Sequence, residues 1–223
     1  MTSADGPGAR PPKISAPDRV VEALRADLLD GNLAPGEHLR EEQLTARFDV
    51  GRHTVRAAIN QLAATGLVIH ERHKGARVPE LTRERIDTVF EFRSVVELGS
   101  LRLALSRRAD LSPVEYAVQR LESLAEDTPW GTLIEVHGQI HRAIVEASGN
   151  RRLVAAHQSC EDELRLLLAN LRPDFTVAKL AGLHRDLMDK LMIDDESAVE
   201  ALRLDLEHAG RGALLMALQR QSQ

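Results

Sequence analysis

Apolar residues recur at helical spacing along most of the chain. After Asp18, which reads as an N-cap, Val20, Val21, Leu24, Leu28 and Leu29 repeat at intervals of three and four, and Asp30-Gly31-Asn32 ends the pattern. Ala34-Pro35-Gly36 is turn chemistry. The spacing predicts a short helix over 41–48, a break at Asp49-Val50-Gly51, and a further helix over 52–64 that stops at Thr65-Gly66. Two β-like pieces follow, Leu67–Ile69 and Ala76–Val78, joined by the charged tip His70-Glu71-Arg72-His73-Lys74-Gly75, and together they read as a hairpin. From 83 to 220 the pattern is helical, with breaks at Asp110–Pro113, Asp127–Gly131, Ser148–Asn150, Arg172–Asp174 and Ile193–Glu196. About six helices with short connections predict an antiparallel all-α bundle.

The expected fold is therefore mainly α. Residues 1–17, rich in proline and glycine and without apolar period, read as a mobile tail. Residues 18–79 predict a winged helix-turn-helix, 80–82 a hinge, and 83–223 an all-helical bundle. Aromatic residues make up only 3%, which disfavours a strand-rich protein. No apolar run approaches the roughly 18 residues of a membrane span, and the N-terminus has no apolar stretch of a secretory signal. Cys160 is the single cysteine, so an internal disulfide framework and a cysteine-based zinc module are excluded. A lone cysteine fits a reducing cytoplasm.

Charge sharpens the N-terminal reading. The chain carries a net −5, which argues against a general polyanion binder. Between Gln43 and Val78, however, six Lys/Arg (47, 52, 56, 72, 74, 77) face only Asp49 and Glu71, a local +4. A basic island in an acidic chain is the footprint of a localised phosphate contact. In the helix that starts at Arg52, the residues Arg52, His53, Thr54 and Arg56 crowd the first turn, while Val55, Ile59 and Leu62 face inward. Such an N-terminus suits the major groove of double-stranded DNA, where Arg bonds guanine through two contacts and Thr reaches a phosphate or a thymine methyl.

The stretches Gly31-Asn32-Leu33-Ala34-Pro35-Gly36-Glu37-His38-Leu39, Glu42-Gln43-Leu44, Val50-Gly51-Arg52-His53-Thr54-Val55-Arg56-Ala57-Ala58-Ile59 and Gly66-Leu67-Val68 resemble the GntR family of bacterial transcription regulators. The resemblance implies DNA contacts at Arg52, Thr54 and Arg56, with Lys74 and Gly75 on the wing; His53 is added from its place on the helix. The family usually has Ser before the first recognition-helix Arg and Pro near its third position, where this chain has Gly51 and Thr54.

The second half holds an inward polar set. His137 and His141 stand four apart beside Ile134, Ile144 and Val145, so they share an apolar helix face. His184 lies among Leu180, Leu187, Met188 and Leu191, and Asp205 among Ala198, Ala201, Leu202 and Ala209. Singly, such histidines read as satisfied core residues. Four inward polar groups buried without partners would cost several kcal/mol, and one divalent cation would satisfy three imidazoles and a carboxylate together. Zinc comes first by ligand type, with nickel and manganese open; His208, one turn on, is the other candidate for the last ligand.

Residues 83–215 resemble the all-helical FCD ligand-binding domain of the FadR subfamily, through Glu91-Phe92-Arg93 to Glu97, His141-Arg142-Ala143-Ile144, Ala147-Ser148-Gly149-Asn150 and Leu183-His184-Arg185-Asp186-Leu187. Metal-binding members of that subfamily carry Asp four residues before the first His, and a His on each of the last two helices. Here His137 stands at the Asp position and Asp205 at the final His position, a reciprocal exchange that preserves three His and one Asp. The resemblance also places Arg93 at the pocket, where its fork would clamp a carboxylate effector. The plain alternative is an Arg93–Glu97 surface pair worth a few tenths of a kcal/mol. Asn150 reads as a helix cap and interhelical bond, and is the other candidate effector-binding residue beside Arg93; Trp130 reads as a packing anchor, and Cys160 as a buried inert thiol.

The functional expectation is a repressor that binds a palindromic operator as a homodimer, under control of a small carboxylate. Two other readings stay open. One is a repressor that senses the metal ion itself; the other is a metal hydrolase, although His137-Gly138-Gln139-Ile140-His141 lacks the Glu that zinc proteases use as a base.

Overall fold

Ser15 starts the first helix, α1 (Ala16–Leu29): its side chain accepts from the Asp18 backbone N–H while the Asp18 carboxylate reaches back to Ser15. Asp18 is thus the third helical residue of a capping box rather than the cap, and residues 16–17 belong to the helix, not to a tail. The structure, a computed structural model, describes residues 15–71, 75–171 and 175–221.

After α1 come β1 (His38–Leu39), α2 (Glu41–Phe48), α3 (Arg52–Ala64), β2 (Ile69–Glu71) and β3 (Gly75–Arg77). The sheet has the order β1-β3-β2, all antiparallel, with His38 and Ile69 both opposite Arg77. Period-two spacing over so few residues leaves strand ends loosely defined, so the hairpin pairs 69–71 with 75–77 instead of the expected 67–69 with 76–78. β1 was not expected at all, because a two-residue strand has no period to read. Val20, Leu24, Val55, Leu62, Leu67 and Val78 close the core of this half.

The remaining chain is helical: α4 (Arg83–Ser106), α5 (Ser112–Glu122), α6 (Trp130–Ala147), α7 (Arg151–Leu168) with a 3-10 turn at Ala169–Leu171, α8 (Val177–Leu191), α9 (Asp195–Leu204) and α10 (Ala213–Gln221). That is seven α-helices among the described residues, one more than the breaks suggested. The extra division comes from a π-helical segment, Asp205–Gly212, which joins α9 to α10 with no polar break in the sequence. The expected break at Arg172–Asp174 lies outside the described residues. No described helix is long and apolar enough to cross a membrane.

The long helix α4 is the axis of this half, packed by α6, α7, α9 and the π segment. Its buried stripe mixes Ile86, Phe90, Val96 and Leu101 with Arg93, Glu97 and Ser100. Polar residues on an otherwise apolar stripe must find their partners on the helices packed against it.

The two halves touch through α7. Asp162 pairs with Arg25 of α1 at 2.9 Å, and Leu166 packs on the N-terminal core. Glu163 accepts two bonds from Arg85, which also donates to the Gly66 carbonyl at 3.2 Å. Gly66 has φ +73, and a Cβ there would lie 2.7 Å from Glu163 Oε2, so both conformation and contact require glycine.

Candidate functional site

Four elements converge on one buried cluster. α6 supplies His137 and His141, α8 supplies His184, α4 supplies Arg93 and Glu97, and the π segment supplies Asp205. His141, His184 and His137 are 2%, 1% and 8% exposed, deep enough that each polar atom needs a partner. The three imidazoles meet edge to face, with centroids 4.7–5.5 Å apart, and one nitrogen from each lies within 4.8 Å of the others.

The hydrogen bonds fix how two of these rings are oriented. His141 Nδ1 donates to Glu97 Oε2 at 2.9 Å, and His184 Nδ1 donates to the Leu180 carbonyl at 2.8 Å. Neither acceptor can donate back, so each neutral ring presents an Nε2 lone pair. Those two atoms stand 3.4 Å apart, and Asp205 faces them at 3.7 Å and 3.9 Å. Lone pairs and a carboxylate gathered this closely suit a positive charge between them. The 3.4 Å separation matches the edge of a zinc tetrahedron with Zn–N bonds near 2.0–2.1 Å, about 3.4 Å. The three histidines can hold a metal ion.

Electrostatics agree with that state. Burial, reinforced by the neighbouring imidazoles, holds His137 well below the usual histidine range. Burial also lowers His184, against the pull of Asp205. Neutral imidazoles are what a metal needs. Burial would raise the Glu97 carboxyl, but Arg93 and His141 outweigh it and hold the group well below its ordinary value. Glu97 therefore stays ionised and orients the His141 ring.

Behind this lies a second layer that the sequence reading missed. His157 on α7 lies 3.4 Å from Glu97 and 3.2 Å from Glu161, and Glu161 also binds Arg142. Burial lowers the His157 pKa, but Glu161 and Glu97 together more than reverse this and raise it. His157 and Glu161 stand four apart on one helix, a spacing that was readable; which neighbour they face was not. Burial pushes the Cys160 thiol up to about 11, so it stays protonated.

Arg93 is 2% exposed, with Nε on Glu97 Oε1 at 2.6 Å and its guanidinium over the Phe90 ring. It is not a surface pair. Arg93, Trp130, His137, His141, His184 and Asp205 line one inner cavity of ≈ 30 Å³. His208 is exposed and lines only an outer groove of ≈ 610 Å³, so of the two candidates for the last position Asp205 faces the histidines. Asn150 lines neither space: its side chain caps α7 by accepting from Arg152 N–H at 3.0 Å, the helix cap its place in the sequence suggests.

In the N-terminal half, Gly51 precedes α3 without any side-chain cap bond, so the first turn of α3 is open to an acceptor such as phosphate. Arg52, His53 and Arg56 are exposed there, and Thr54 is half-buried. Arg56 Nε bonds both Glu41 oxygens at 2.9 Å, and Arg52 lies 3.5 Å from Glu42. Gly75 opens β3 with φ +90, and Lys74 lies outside the described residues.

A helix-turn-helix with a three-stranded sheet, followed by a helical bundle around a polar cavity, is the architecture of a DNA-binding transcription regulator. The family described as bacterial regulatory proteins, gntR family, matches residues 17–78, and the FCD domain matches residues 88–208, more than half of the chain. The chain belongs to the GntR family of bacterial regulators and carries an FCD domain. It is 25% identical over 197 residues to a protein of Paenarthrobacter nicotinovorans named as a probable D-xylose utilization operon transcriptional repressor, covering 88% of this chain and 87% of that one. The repressor GlaR of Escherichia coli K12 is 29% identical over 145 residues, covering 62% and 66%. Among solved structures, a GntR regulator from Rhodococcus sp. RHA1 superposes with a TM-score of 0.74 at 27% identity, covering 90% of this chain and 98% of that one. These relatives are regulators and not enzymes, which sets the hydrolase reading aside.

Proposed function

We propose that this protein is a cytoplasmic repressor that binds a palindromic operator as a homodimer and is controlled from the histidine cluster of its FCD domain. The observation that carries the sensing half is the convergence of two Nε2 lone pairs and the Asp205 carboxylate on one point. A divalent ion on His137, His141, His184 and Asp205 satisfies it, zinc before nickel or manganese by ligand type. A small carboxylate effector is bound by Arg93, whose Nη2 is buried without a partner. DNA is contacted by Arg52, His53, Thr54 and Arg56, with Lys74 and Gly75 on the wing.

Exposed Phe92 and Val95 on the outer face of α4 support a second copy packing there. Control passes through residues 80–82 as a hinge between domains 18–79 and 83–223, and an effector acts only so far as it favours one arrangement of them.

The size of the inner cavity, ≈ 30 Å³, favours a second reading, in which the ion alone is the signal. One experiment covers both. Duplexes are enriched from a random pool on the full chain, and binding of the recovered sequence is followed by fluorescence anisotropy with zinc alone, then with carboxylates. A palindromic consensus released by an acid supports the main reading, and release or capture by zinc alone supports the second. Failure to enrich any sequence would falsify the regulator, and indifference to every metal and acid would remove the control.

A further inference from the structure

Three buried polar atoms around the inner cavity lack partners: Arg93 Nη2, His137 Nδ1 and Trp130 Nε1. Each such orphan costs stability, and three at one cavity mark a place built for something that bonds them. A metal ion accounts for an imidazole nitrogen. It does not account for the other two, because guanidinium and indole N–H groups can only donate. What they lack is an acceptor.

Trp130 is the only tryptophan of the chain and the first residue of α6, with its ring packed against both the bundle core and the cluster beneath α4. Packing alone gives no reason for a buried N–H at that position. We propose that Trp130 is an effector-binding residue, and that its indole N–H and the free Arg93 N–H together grip one carboxylate beside the histidine cluster. This rests on the effector reading above and narrows the ligand class.

A cavity of ≈ 30 Å³ takes a carboxylate head and little more. Phe175, Asp205 and Ala209 line both this cavity and the outer groove of ≈ 610 Å³, so the body of a larger ligand leaves across that wall. The fitting class is acids with an unbranched carbon next to the carboxylate.

The test uses the zinc-loaded full chain and the emission of Trp130, with acetate, propionate and trimethylacetate as probes and sodium chloride as the ionic control. Acetate and propionate shift the emission, whereas trimethylacetate and chloride leave it unchanged. Trp130→Phe keeps a ring and removes the donor. Calorimetry then shows about tenfold weaker propionate binding, the loss of one hydrogen bond to a charged group, with zinc content and acid-free operator binding unchanged.

Equal propionate affinity in Trp130→Phe, a response to trimethylacetate matching propionate, or silence of the parent to every acid would each overturn the proposal. If the parent holds no zinc, or its operator binding ignores acids, while propionate still distinguishes parent from Trp130→Phe, the control scheme fails and the carboxylate grip stands.

Discussion

His141 and His184, separated by 43 residues in the chain, bring their Nε2 atoms to 3.4 Å with both Nδ1 atoms already committed as donors. That relationship suits two core histidines to holding a cation. Two Nε2 lone pairs cannot hydrogen-bond each other, and the Asp205 carboxylate facing them adds further negative charge.

Elemental analysis of tag-free protein should therefore find near one divalent ion per chain, and little in His141→Ala or His184→Ala. Stripping the ion with a chelator should lower the melting temperature of the parent, because a ligand that binds only the folded state stabilises it by mass action. A parent that stays metal-free after incubation with zinc, nickel and manganese would sink this.

Glu97 holds Arg93, orients His141 and faces His157. Replacing it with Gln leaves the Arg93 charge buried without its counter-charge. Loss of one partner from a buried pair costs roughly 3–5 kcal/mol, and loss of an orienting carboxylate lowers metal affinity roughly 10–100-fold. Urea unfolding and a competitive zinc titration measure the two effects separately; a variant as stable as the parent refutes the first.

Gly66→Ala strains the junction between the halves, because φ is +73 and the new methyl meets Glu163 Oε2. Left-handed backbone at a non-glycine residue costs about 1–2 kcal/mol, and the contact forces Glu163 away from Arg85. Thermal unfolding should show the loss. Operator binding should also become less responsive to effector, since Arg85 is the bridge between Gly66 and α7.

Against the raising effect of burial, His157 and Arg142 hold the Glu161 carboxyl down at about 2. Its ordinary value is about 4.3, so on acidification the unfolded chain takes up this proton first. The stabilisation is complete above about pH 5 and is lost as pH falls from about 4.5 toward about 2. Parent and Glu161→Gln should thus differ by on the order of 2 kcal/mol at pH 6 and converge only below about pH 2 in denaturant titrations. A difference that persists unchanged at low pH contradicts the assignment.

At the DNA face, Arg56 is steadied by Glu41 before any DNA arrives. Arg52→Ala and Arg56→Ala should each weaken operator binding by about 1–3 kcal/mol and relax preference at one base pair per half-site. A uniform loss across sequences, with a salt slope reduced by about one, would instead make them phosphate contacts.

The helical spacing of Val20, Leu24, Val55 and Leu62 and the turn residues after Leu29 were enough to read the N-terminal helices, because local period and punctuation decide such elements. The same spacing put His137, His141, His184 and Asp205 on inward faces. It could not say that His208 would miss the cluster, since the π segment that rotates this stretch has no local mark. Nor could it show that Trp130 carries an orphan N–H. Which faces are apolar is written along one helix. Which atoms lack a partner depends on several helices at once, and only their packing decides it.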